Sequence, residues 1–315
     1  MHPLAPGMRR LGTVLRRLPG SSTAAATPEQ IARSNGSGSG AAVPELAASI
    51  LMGRRPRSVT VTDRRAGDIP VRVYTPRGDA TDRPLVVYLH GGGFVYGDLR
   101  GGDWMCGIVA EAVGAVVVSV GYRLAPQHPF PAGVDDSYAG LCWAAEHAAE
   151  LGADATRLGI MGESAGANLA AVAAITARDR GGPVIRHQAL LYPVTGAFDS
   201  ASRRENANAF ILSGADMERF AELYAGDPHD WRVSPLLAES LAGLPPAHVV
   251  VAGHDPLHDD GVEYAAALRA AGGSAELVDY PAMPHGFLNF PRFARDAKPA
   301  MAVVATAQRT ALARS

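Results

Sequence analysis

Leu158-Gly-Ile-Met-Gly-Glu-Ser-Ala-Gly-Ala167 runs from a short apolar stretch, through two glycines that flank a serine, into an alanine-rich stretch of helical character. In a chain with 35 glycines a bare G-x-S-x-G signifies little. Its context here is a strand before and a helix after, which is what gives the motif meaning. A strand that turns straight into a helix needs small residues two places before and two after the turning residue. Gly162 and Gly166 supply them. Ser164 then stands exposed at the tip of the strand, and the N–H of Ala165 faces the same space.

Working outward from this turn, short apolar runs alternate with longer helical stretches. Leu85–Leu89, Ala115–Val120, Leu158–Met161, Ala189–Tyr192, Ala247–Ala252 and Ala275–Tyr280 read as strands of a parallel sheet buried on both faces. Val59–Thr62 and Ile69–Tyr74 alternate as half-exposed strands and pair as a hairpin across Ala66-Gly-Asp68. Helices are expected at Trp104–Val113, Asp135–Leu151, Ala165–Arg178, Val262–Ala271 and Ala297–Ala313. The alternation predicts a doubly wound α/β sheet with its ligand site at the carboxyl ends of the strands.

Two segments fall outside this rhythm. Residues 1–50 read as an N-terminal appendage, arginine-rich and amphipathic at its start and ending in the flexible linker Ser34-Asn-Gly-Ser-Gly-Ser-Gly-Ala41. Residues 195–244 contain no good strand. An interval of about fifty residues is too long for a plain loop and reads as a helical insertion. Its Phe198, Phe210, Ile211, Leu212, Phe220, Tyr224 and Trp231 are placed to line a lid over the sheet's carboxyl edge. The core is then 51–194 with 245–315.

Composition narrows the function classes. The chain has 315 residues, 47% hydrophobic and 19% charged, and a net charge of −2. That charge offers no basis for binding nucleic acid. Two cysteines make neither a disulfide framework nor a metal cluster. The N-terminus has no uninterrupted apolar segment of the signal-peptide kind, and no stretch is long enough to cross a bilayer, so a cytoplasmic location is expected.

A serine hydroxyl is a poor nucleophile until a base removes its proton, and the base must be held by a carboxylate. When the serine comes first in the chain, the acid and then the histidine are expected at later strand ends. Asp255 follows the strand at Ala247–Ala252, and His285 follows the strand at Ala275–Tyr280. Of the competitors, His254, His258 and Asp259 around Asp255 suggest a metal cluster, but adjacent residues of a strand-end loop do not face one side, and none is expected to bind metal. Asp259 and Asp260 read better as anions at a helix N-terminus. His90 reads as a residue that fixes its loop. Acyl transfer also develops an oxyanion that needs preorganised donors. The N–H of Ala165 is one, and Gly91, Gly92 and Gly93, directly after a strand, are the candidates for the others.

Taken together, His90-Gly-Gly-Gly-Phe94, Gly162-Glu-Ser-Ala-Gly166, Asp255-Pro-Leu257 and His285-Gly-Phe287 resemble the hormone-sensitive-lipase-like esterases of the α/β-hydrolase fold. Tyr122-Arg-Leu-Ala-Pro-Gln-His-Pro-Phe-Pro-Ala132 and Ser234-Pro-Leu-Leu237 resemble that family's linking segments, so the similarity runs from about Val59 to Phe290. The resemblance implies a mostly parallel eight-stranded sheet flanked by helices and a cap made from the N-terminal segment and the 195–244 insertion. It implies a carboxylesterase of short- to medium-chain acyl esters, acting through an acyl-enzyme and without a cofactor. Ser164 would be nucleophile, His285 the base and then the acid, and Asp255 its orienting carboxylate. Gly92 and Gly93 would join Ala165 as oxyanion donors, with Gly91 shaping the turn. Phe94, Tyr96, Phe210 and Tyr192 are the aromatics expected against substrate. The resemblance leaves open an amidase, carbamate or lactone hydrolase, a non-catalytic receptor of the same fold, and a homodimer formed through the last strand. Three departures stand out. Ala167 replaces a usual glycine and is expected to tighten the acyl side, while Gln127 and Asp260 replace glutamates and put local salt bridges in doubt.

Overall fold

The computed structural model describes residues 2–15, 24, 26–31 and 52–314. The Gly/Ser-rich linker at 34–41 lies outside them. Eight strands form one sheet: β1 (Val59–Ala66), β2 (Ile69–Pro76), β3 (Arg83–Leu89), β4 (Val116–Val120), β5 (Ala153–Glu163), β6 (Ile185–Leu191), β7 (Ala247–His254) and β8 (Ala275–Pro284). Their spatial order is β1-β2-β4-β3-β5-β6-β7-β8. The hairpin β1–β2 runs antiparallel and joins β4 antiparallel, and every pairing from β4 to β8 is parallel.

The unbroken apolar runs have a simple origin in the strand period of two. Along β3, Leu85, Val87 and Leu89 enter one core while Val86 and Tyr88 enter another on the opposite face. The first core is covered by α3 (Ala132–Glu146), α4 (Ala165–Arg180) and α7 (His258–Ala270), and the second by α2 (Asp103–Val113) and α8 (Ala297–Ala311). A strand buried on both sides has no polar face to show.

β4 lies on one side of β3 and β5 on the other, so the chain reverses its winding direction between them. At such a switch point the loops leaving adjacent strands part and open a crevice at their carboxyl ends. The loop after β3 carries the three glycines, and the turn after β5 is the serine elbow. Topology alone thus sets these two segments against each other.

The remaining elements gather at the same edge. The insertion forms α5 (Ala201–Glu205) and α6 (Gly214–Tyr224), the latter opened by a capping box in which Ser213 and Asp216 satisfy each other's N–H groups. Helix α1 (Pro6–Leu15) buries Met8 and Leu11 in the second core. Among the described residues no helix is long and apolar enough to cross a membrane.

Candidate active site

β5 ends at Glu163 and α4 begins at Ala165, which leaves Ser164 alone between them. Its backbone is at φ 53° and ψ −121°, a conformation that costs free energy for any residue with a side chain. Hydrogen bonds hold it there. The Ser164 N–H donates to the Leu191 carbonyl at 2.8 Å, and its own carbonyl accepts from Ala167 and Asn168 at 3.0 and 3.1 Å. A Cβ on Gly162 would strike the Gly166 carbonyl, and one on Gly166 would strike the carbonyls of Leu89 and His90. Both glycines are therefore obligatory, and the second lets α4 start directly against the exit of β3.

His285 lies just past β8, before the short turn Phe287–Asn289, and Asp255 just past β7. The histidine Nε2 is 2.9 Å from Ser164 Oγ, and its Nδ1 is 2.7 Å from Asp255 Oδ2. Asp255 is fully buried, and its other oxygen accepts the Leu257 N–H at 2.8 Å. A carboxylate at Nδ1 fixes the proton there and leaves Nε2 as the acceptor that faces the serine hydroxyl. The arrangement can take a proton from Ser164 and return it to a leaving group.

The neighbouring histidines are used otherwise. His254 Nε2 bonds the His2 carbonyl at 2.7 Å, and His258 Nδ1 bonds Asp259 at 2.9 Å. Among the described residues no group of three His, Cys, Asp or Glu side chains is placed to hold a metal. Asp259 and Asp260 do occupy the first turn of α7, but they also anchor the insertion. Asp260 is fully buried, accepts the N–H groups of Thr195 and Gly196 at 2.7 and 2.9 Å, and pairs with Arg203 at 2.9 Å. The substitution doubted for its salt bridge thus makes one.

In the glycine loop, His90 Nδ1 bonds the Gly91 carbonyl at 2.8 Å, and its ring stacks on Tyr122 with centroids 4.3 Å apart. Burial pushes its pKa down, so it serves as a neutral brace. Gly92 and Gly93 have φ of 120° and 62°, which turn successive N–H groups in directions a Cβ would forbid. Among the described residues the N–H groups of Gly92, Gly93 and Ala165 have no acceptor. The Gly91 N–H points instead at Glu163 Oε1, 3.4 Å away, which suits a residue that shapes the turn rather than an oxyanion donor.

The four expected substrate aromatics separate. Phe94 stacks on Tyr224 of α6 with centroids 4.0 Å apart, and Tyr96 meets Phe220 edge-on at 6.1 Å. The Phe220 ring lies directly over Gly93, where it would meet any Cβ placed there. Phe210 packs its ring 3.0 Å from where a Cβ on Gly12 of α1 would stand. Tyr192 has to be withdrawn from the substrate set: it is fully buried, its ring is edge-on to His285 at 5.0 Å, and its hydroxyl donates to Glu163 at 2.9 Å. Ala167 also differs from expectation. Its methyl is fully buried in the core beneath α4, not on the acyl side.

Glu163 was not singled out by its residue type or spacing. It is buried and accepts four hydrogen bonds, from Tyr88, Tyr192, Asn289 and Gly91. Burial pushes the hydroxyl pKa of both tyrosines well up, so they remain donors. The signal in the sequence was a charged residue at the end of a strand covered on both faces.

The N-terminal residues dock on this edge. The Ala5 N–H bonds the Ala282 carbonyl at 2.9 Å, Ile31 packs with Val95, Ala125, Leu223 and Tyr224, and the Ala24 N–H bonds Asp216 of α6 at 3.1 Å.

Residues 86–289 match a family model described as the α/β hydrolase fold. The chain is 48% identical over 230 residues to the carboxylesterase NlhH of Mycobacterium tuberculosis, covering 71% of this chain and 72% of the relative. It is 45% identical to the esterase LipI of the same organism over 236 residues, 72% of this chain and 73% of the relative. The solved structure of an esterase from Pyrobaculum calidifontis superposes with a TM-score of 0.83 at 37% identity, over 99% of this chain and 100% of that one.

Proposed function

The chain belongs to the hormone-sensitive-lipase-like esterases of the α/β-hydrolase fold and is a carboxylic ester hydrolase, and on that premise we propose that it cleaves short- to medium-chain acyl esters by a Ser164-His285-Asp255 triad. The observation that carries this reading is the unbroken line from Asp255 through His285 to Ser164, with contacts of 2.7 and 2.9 Å. His285 takes the proton as Ser164 Oγ attacks the ester carbonyl, and Asp255 stabilises the imidazolium that results. The oxyanion forms against the N–H groups of Gly92, Gly93 and Ala165, at the N-terminus of the sixteen-residue helix α4, whose dipole favours negative charge there. His285 then protonates the departing alcohol, and water repeats the sequence on the acyl-enzyme. The deciding experiment is a hydrolysis profile across acyl chain lengths and across ester, amide and carbamate linkages, with the Ser164→Ala variant as control. A preference for amides over esters would overturn it.

Asp255→Asn is expected to lower kcat by about 10³ to 10⁴-fold, because an amide at Nδ1 presents an N–H and holds the imidazole in the wrong tautomer. A wild-type rate in that variant would transfer the role to Asp259.

The cap in this reading is the N-terminal segment, residues 1–50, together with 195–244. Support comes from the contacts of α1 with Phe210 and of Ala24, Ala26 and Ile31 with α6. The Phe220 ring over Gly93 crowds the approach to the oxyanion loop, which favours modest acyl groups. Deleting residues 1–41 should shift the ratio of kcat/KM between butyrate and octanoate esters several-fold while Ser164 still reacts with a small organophosphate, since a lid shapes binding more than chemistry. An unchanged ratio would remove the segment from the pocket.

A further inference from the structure

Among the described residues the carboxyl group of Glu163 has four hydrogen-bond donors, and none of them is charged. Oε1 accepts from the Tyr88 hydroxyl at 2.9 Å and from the Gly91 N–H at 3.4 Å, and Oε2 from the Tyr192 hydroxyl at 2.9 Å and the Asn289 amide at 2.6 Å. Each donor belongs to a different part of the site. Gly91 opens the glycine loop, and Asn289 sits four residues past His285, in the turn that carries the base. Tyr192 lies under the His285 ring, and Tyr88 stands near the exit of β3. Glu163 itself is bonded through the backbone to Ser164.

Stability alone does not call for this residue. Burying a carboxyl is costly, and well-packed apolar residues are often as stable as a buried polar group. What an apolar side chain cannot do is hold several separate backbone segments at fixed distances through directional bonds. We propose that Glu163 is a positioning residue that sets the spacing between the oxyanion loop, the nucleophile elbow and the loop carrying the base. Misplacement of catalytic groups by about 1 Å costs on the order of 10²-fold in rate. Loss of the hub therefore acts on turnover, because the parts it aligns matter most in the transition state.

The inference rests on Ser164 as nucleophile, and the test separates the two. In Glu163→Gln one oxygen becomes an NH2 facing a pair of donors. Asn289→Asp in the same chain gives that NH2 an acceptor and restores the bond with its direction reversed. With p-nitrophenyl acetate as the probe, Glu163→Gln is expected to lose about 10²-fold in kcat, with KM held within about threefold, and the Glu163→Gln/Asn289→Asp double variant to regain at least about tenfold. A kcat within about threefold of wild type for Glu163→Gln, an equal change in kcat and KM, or a double variant no faster than the single would overturn the proposal. Should Glu163→Gln not fold, Asn289→Asp alone sets two carboxyl groups together at a half-buried position. It is expected to lose about tenfold in kcat and to be rescued by adding Glu163→Gln. A wild-type kcat for Asn289→Asp would equally overturn it. Activity in Ser164→Ala in the same assay would instead refute the nucleophile, independently of Glu163.

Discussion

Ser164→Ala is expected to lower kcat by about 10⁶-fold and to abolish covalent labelling by an organophosphate. What remains is the catalysis that oxyanion donors and substrate positioning give without a nucleophile. The fold should survive. Alanine at φ 53° bears the same steric penalty as serine, so the elbow neither gains nor loses strain. The variant forfeits one partly buried hydrogen bond, worth about 1 kcal/mol. Melting curves of the two proteins should therefore nearly coincide while their activities do not. Mass spectrometry after organophosphate treatment gives the cleanest measurement, since an adduct on the alanine variant would mean that another residue attacks.

His285→Ala is expected to cost almost as much, about 10⁵ to 10⁶-fold in kcat, because nucleophile and base act as a unit and losing either removes the same step. Unlike the serine variant, it should also destabilise the protein. Asp255 is fully buried and its Oδ2 would lose the His285 ring, its one side-chain partner among the described residues, and a buried polar group that loses its partner costs about 1–3 kcal/mol. His254→Ala and His258→Ala serve as controls, for their rings engage the His2 carbonyl and Asp259 rather than Ser164. Both should stay within a few-fold of wild type. If either proved as damaging as His285→Ala, the base would have been misassigned.

The sheet was legible because burial on both faces leaves a mark on strand composition. β3 and β4 are apolar at almost every position, whereas Val59–Thr62 of β1 and Ile69–Val73 of β2 alternate because one face there meets water. The elbow was legible for a different reason: a turn that admits only glycine at two positions writes those glycines into the chain. Asp255 and His285 could be picked out because they follow strands whose order fixes which edge they reach, and the structure sets both within hydrogen-bond reach. The contacts that depend on distant partners were not legible. Nothing local indicates that Asp260 receives the backbone of Thr195 and Gly196, or that Tyr192 turns its hydroxyl inward to Glu163 and not outward to substrate. Ala167 was misread for the same reason, since the side of a helix that meets the core is decided by what packs on it.

The clips between the N-terminal residues and the strand ends that lead into Asp255 and His285 have a consequence for how the molecule is made. His2 bonds His254, and Ala5 bonds Ala282, so the partners are translated about 250 and 280 residues later. At about 5–20 residues per second, a ribosome needs roughly ten to fifty seconds to bring them out. Throughout that interval Met8 and Leu11, which end fully or almost fully buried, face water or whatever chaperone attends the nascent chain. The bond from Ala5 to β8, at least, can form only once that final strand has been made.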